Sequence, residues 1–267
     1  MDAGMWDRAR QVAVVGSAVL ALAGSAVGSG AFGGTPIQDA AGGALAADAT
    51  LLAPGTGAFQ IWGVIYLGLI AYAVHQALPG QAARTRHRRV GWPAAASMLL
   101  NAAWILAVQA GALLLSVPVI AALLAVLVAI VLRLGPAGSV ADRLIGDGSF
   151  GLYLGWVAIA TVADITALLQ QADFEGLGLD PAAWAVGVLA AAALIGVAAS
   201  RGDGARLAPA VALAWGLAWI AVARGTGEPR SAPVAAAAAA AAVVVLAAPA
   251  VLRLRGRVAA ARPAASG

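Results

Sequence analysis

LYLGWVAIATVADITALL, residues 152–169, is an apolar run holding one carboxyl group, that of Asp164. At ~1.5 Å of helical rise per residue it is long enough to cross the ~30 Å hydrocarbon core of a bilayer. A carboxyl group at that depth is costly and normally faces a bundle interior, a wet cavity or a partner. Asp164 is the only acidic residue of the chain inside a long apolar run. That marks a ligand or ion site within a membrane protein. A protonated carboxyl hydrogen-bonded between helices accounts for it equally well.

The rest of the chain repeats the pattern. Of 267 residues, 62% are apolar and only 10% charged, with a mean hydropathy of +0.91. Ordinary soluble domains carry about 25% charged residues, so a soluble fold is excluded. The absence of cysteine removes disulfides and Cys-based metal or redox chemistry. All 16 basic residues are arginine. They sit between apolar runs, where membrane topology explains them better than a nucleic-acid partner does.

Apolar runs fall near 12–32, 58–78, 93–110, 113–132, 150–169, 182–199, 207–223 and 233–252. Their lengths suit membrane-spanning helices, and none alternates as a membrane β-strand would. The expected fold is all-α, a polytopic bundle of about eight spans. Arg8 and Arg10, the Arg84–Arg89 cluster, Arg133 and Arg143, Arg201 and Arg206, and Arg253 onward all fall on one side of such a bundle. Only Arg224 and Arg230 fall on the other. The positive-inside rule then places both termini in the cytoplasm, with the chain in a cell (inner) membrane. A cleaved signal peptide is the alternative reading of the first run. Gly24 with Gly28, and Gly151 with Gly155, have the GxxxG spacing that lets helices approach closely.

This orientation yields a depth map. Trp62 and Tyr66 lie roughly 6 and 12 Å below the outer end of the second span, and Asn101 and Trp104 about 13 and 9 Å below that of the third. Thr161 and Asp164 lie about 12 and 8 Å below the outer end of the fifth. Aromatic and polar groups thus gather at one level, beneath a 33–57 loop placed to act as a lid. Broad faces with a polar edge suit a flat hydrophobic ligand, and Asn101 and Asp164 would orient it. Interface anchoring of Trp62 and interhelical bonding by Asn101 are competing readings. His75 and His87 have no ligand neighbour at helical spacing, so neither a metal site nor an axial haem ligand is expected. No phosphate loop, nucleophile elbow or zinc-protease motif is present.

The same residues resemble the TspO/MBR family, the tryptophan-rich sensory or translocator proteins. FQIWGVIYLGLIAYAV is similar to that family's F-x-x-W-x-x-x-Y helix through Phe59, Trp62 and Tyr66. MLLNAAW resembles L-N-x-x-W through Asn101 and Trp104. LYLGWVAIAT, followed by Asp164, resembles P-Y-L-x-W-x-x-x-A-T-x-x-N through Tyr153, Trp156, Ala160 and Thr161. Leu152 stands where the family has proline and Asp164 where it has asparagine; the approach to the second helix retains only Pro54.

The resemblance covers about residues 10–170. It implies a five-helix core over 1–170 binding porphyrins or haem-like ligands below the first loop. A three-helix extension over 171–254 and a basic tail over 255–267 would follow. The expected ligand site comprises Phe59, Trp62, Tyr66, Asn101, Trp104, Tyr153, Trp156, Thr161 and Asp164. A sensor or receptor for a hydrophobic small molecule is the first reading, with a homodimer as a further partner state. A transporter using Asp164 for proton coupling, a porphyrin-degrading membrane enzyme and a purely structural bundle are the alternatives.

Overall fold

The computed structural model describes residues 3–31, 34–200 and 207–261, with side chains up to 255. Phe32, Arg201, Arg206 and Arg262, and the side chain of Arg257, lie outside the described residues. Among the described residues eight long helices form, matching the eight apolar runs. They are α1 (Ala3–Gly28), α2 (Ile61–Ala77), α3 (Thr85–Gln109), α4 (Leu113–Arg133), α5 (Ser149–Gln171), α6 (Pro181–Ala199), α7 (Leu207–Thr226) and α8 (Ala232–Ala261). A short helical turn, Ala40–Gly43, lies in the first loop; a 3₁₀ turn, Thr56–Gln60, leads into α2; a π-helical turn, Asp142–Gly148, leads into α5.

Local chemistry sets several of these ends. Gly111, at φ +70°, reverses the chain between α3 and α4, a conformation that costs glycine no Cβ clash. Asp180 caps α6 by accepting from the amides of Ala182 and Ala183, and Pro181 occupies the first turn, where a missing N–H costs nothing.

The bundle is apolar on the outside and carries its polar side chains within. Leu114, Leu132, Leu194 and Ile195 are among its most exposed residues, as lipid-facing positions should be. Asn101, Asp164, Gln76, Ser97 and Ser116 are completely buried.

Close contacts at small residues fix the helix pairs. α1 runs parallel to α3: Asp7 meets Arg88 at one end, and Gly24 and Gly28 touch Ala102 and Ile105 at the other. α5 runs parallel to α7 in the same way, with Gly151 against Ala208 and Pro209, and Gly155 against Pro209 and Ala212. A Cβ on Gly155 would stand 2.9 Å from that of Ala212, so only glycine permits this approach. Both GxxxG pairs therefore mark real helix interfaces. α8 packs antiparallel on α7, and the last three helices continue the packing of the first five.

With the helices alternating in direction, the start of α1 and the end of α8 share one face of the bundle. Arg84, Arg86, Arg88, Arg133 and Arg143 lie at that N-terminal face; the first loop and Arg224 lie at the opposite, loop face.

Candidate functional site

At the loop face, the 3₁₀ turn before α2 brings Phe59 and Trp62 over the interior while α5 raises Tyr153 and Trp156 to meet them. Trp62 stacks on Tyr66 with ring centroids 5.3 Å apart and planes 25° apart. It meets Tyr153 edge-on at 5.9 Å and Trp156 at 6.3 Å; Phe59 meets Trp156 edge-on at 5.7 Å. These are the offset and T-shaped geometries that ring quadrupoles favour. On α3, Asn101 Nδ2 donates to the Tyr66 hydroxyl at 2.7 Å and so holds that ring from behind.

A cavity of about 490 Å³ opens in front of these rings. Phe59, Trp62, Tyr66 and Trp104 line it, closed at the side by Ser25 and Gly28 of α1. Pro36, Ile37 and Gln38 cover it from the first loop. That loop is tied down: Ile37 N–H donates to the Gly28 carbonyl at 2.8 Å, and Gln109 donates to the Thr35 carbonyl at 2.7 Å. The expected lid is a fastened cover.

The nine expected site residues divide into layers. Phe59, Trp62, Tyr66 and Trp104 face the cavity. Asn101, Tyr153 and Trp156 stand behind them, with the Tyr153 hydroxyl donating to the Ser97 carbonyl at 3.2 Å. Thr161 bonds back to the Val157 carbonyl of its own helix at 2.7 Å and does not reach the cavity.

Asp164 does not line the cavity either. It turns toward α4, where Ser116 Oγ lies 3.0 and 2.9 Å from its two oxygens. The same Oγ is 2.9 Å from the Leu113 carbonyl. A hydroxyl has one proton and two lone pairs, so a neutral carboxyl completes a chain from Asp164 through Ser116 to Leu113 with every proton used. The indole of Trp104 lies beside Asp164, though its N–H reaches no acceptor at hydrogen-bonding geometry among the described residues. Asp164 thus lies beside Trp104 along its helix but faces Ser116 of α4 and not the cavity.

The structure adds residues that spacing did not suggest. Trp215 on α7 donates its indole N–H to the Ala58 carbonyl at 3.0 Å. Trp219, edge-on to Trp215 at 5.8 Å, packs into the space left by Gly55 and Gly57, and the Gly55 N–H donates to its carbonyl at 3.2 Å. Two tryptophans from the seventh span therefore brace the turn that carries Phe59. Beside them, Arg224 is 1% exposed and ties the first loop to the α7–α8 hairpin through the carbonyls of Ala47 and Pro229.

Fold and site together define a polytopic helical membrane protein with an aromatic-lined chamber under one covered face. Residues 13–251 match the family described as TSPO-like protein, and the chain belongs to that family. The match takes in all eight helices rather than the first five alone. No curated protein and no solved structure matches the chain.

Proposed function

We propose that this chain is a membrane receptor or sensor that holds a flat, hydrophobic ligand of the tetrapyrrole class in the chamber at its loop face. The observation that carries this reading is the set of four aromatic side chains, Phe59, Trp62, Tyr66 and Trp104, around one cavity of about 490 Å³. That size lies in the ordinary range for small-molecule sites, ~300–1,000 Å³. The Asn101–Tyr66 bond supports it by preorganising a ring that would otherwise need ordering on binding. In the same reading the arginine-rich N-terminal face is cytoplasmic, so the chamber opens toward the other side of the membrane.

Protoporphyrin titrated into the detergent-solubilised protein should quench tryptophan fluorescence saturably. Trp62→Ala and Trp104→Ala should each weaken binding by ~10-fold or more, as losing a ring contact worth ~1.5 kcal/mol requires. Asp164→Asn should leave binding within about 2-fold, because that residue faces Ser116 (a factor of two is ~0.4 kcal/mol). Unsaturable quenching, or wild-type affinity in both tryptophan variants, would remove the chamber as the site.

A further inference from the structure

At the N-terminal face, remote from the aromatic chamber, three elements bring the chain's only two histidines to one acid. His75 lies near the end of α2, His87 in the first turn of α3, and Asp142 opens the π-helical turn before α5. Each offers one ligand atom, and the three atoms lie within 4.8 Å of one another. His75 Nε2 and Asp142 Oδ1 are 3.4 Å apart. That is close to the edge of a tetrahedron with bonds of ~2.05 Å, the length zinc makes to imidazole nitrogen and carboxylate oxygen. We propose that His75, His87 and Asp142 form a site for a divalent transition cation of the zinc class.

The ligand set and its surroundings fit. Two imidazoles and a carboxylate suit a borderline metal better than calcium or magnesium, which prefer oxygen alone. His87 is 2% and Asp142 3% exposed, and among the described residues His87 Nδ1, which is buried, has no hydrogen-bond partner. A buried ring nitrogen left so needs an explanation, and a metal supplies one. Second-layer groups are in place: Ser139 Oγ accepts from the Asp142 amide at 3.0 Å, and the His87 ring packs on Tyr72 with centroids 5.7 Å apart. Gln81 Oε1, 3.2 Å from His87 Nε2, stands beside the cluster on the link between α2 and α3. Asp142 also begins a π-helical turn, a form found frequently at functional sites.

Three arginines oppose a cation, and their placement sets how strongly. Arg86 is held by Asp147 at 2.7 Å and by the Gly135 carbonyl, and it meets Asp142 only at the backbone carbonyl, 3.5 Å away, leaving the carboxylate untouched. Arg10 donates to the Ala82 carbonyl at 2.7 Å. Arg84 is the direct competitor, its Nη1 3.2 Å from Asp142 Oδ2. Its side chain is 44% exposed, so it can swing into water and release the carboxylate. A metal site thus predicts that removing Arg84 tightens binding, whereas an ordinary ion-pair staple predicts no binding at all.

The test uses the full-length, metal-free protein in detergent, carrying no histidine tag. Cobalt(II) should bind at one per chain with tetrahedral ligand-field absorption and be displaced by zinc. Affinity should fall at least ~10-fold in His75→Ala, His87→Ala and Asp142→Asn, and rise several-fold in Arg84→Ala. Should the ligand variants fail to fold, the wild type still decides. With only two histidines in the chain, histidine-selective ¹⁵N labelling should show both imidazole signals shifting together on addition of one equivalent of zinc. Absence of stoichiometric binding, imidazole signals unmoved by zinc, or unchanged affinity in a folded His87→Ala protein would overturn the proposal.

Discussion

The bond between Asn101 and Tyr66 offers a sharp test because its two ends are unequal. Tyr66→Phe removes the hydroxyl and strands the Asn101 amide, whose Oδ1 already has no partner among the described residues, inside a fully buried site. A buried polar group left without partners costs about 1–3 kcal/mol. Asn101→Ala removes that amide together with its orphan oxygen. It leaves a Tyr66 hydroxyl that still has Ser25 close by. The loss should then be under about 1 kcal/mol, near the ~0.6 kcal/mol average for polar pairs between membrane helices. The double variant should lie close to Asn101→Ala alone, because the stranded amide is gone. Unfolding of the four proteins in mixed micelles, followed by far-UV circular dichroism, completes the cycle. A larger loss in Asn101→Ala than in Tyr66→Phe, or strict additivity in the double variant, would refute this account of how the ring is held.

Two further outcomes follow from packing. Gly155→Ala should cost about 3 kcal/mol, the upper end for overpacking, or prevent folding, since the new methyl meets the backbone of α7 at Pro209. Gly16→Ala, which meets nothing within 4 Å, should gain about 0.5–1 kcal/mol through helix propensity. Yield and thermal midpoint compare the pair directly. Arg224→Ala should lose about 1–3 kcal/mol and loosen the first loop, measured as faster proteolysis there. Arg224→Lys should not restore it, because a single ammonium lacks the fork that spans the carbonyls of Ala47 and Pro229.

Much of this was legible in the chain, for identifiable reasons. Hydrophobic length alone located all eight helices, because a bilayer demands it. Helix rise set Trp62, Tyr66, Asn101 and Trp104 at similar heights along their helices; Trp62, Tyr66 and Trp104 line one cavity, and Asn101 bonds to Tyr66. What rise cannot supply is azimuth. Asp164 shares the level of Trp104 but turns to Ser116, a choice set by how α4 lies against α5. The same gap hid Trp215 and Trp219, which reach Ala58 and Gly57 across more than half the chain. It also hid the histidine cluster: a search for ligands along single helices finds no partner for His75 or His87, yet helix ends from three elements bring them beside Asp142. Periodicity describes one helix at a time, and sites are built where several converge.

The indole of Trp219 occupies the volume that a side chain at Gly57 would need. The floor under the doorway to the chamber is therefore furnished by a helix that begins at residue 207. Any axial slide or tilt of that helix bears directly on the backbone carrying Phe59, like a wedge driven beneath a hinge. A chain shortened after α5 would keep every aromatic lining the cavity and still lose the buttress that sets their spacing.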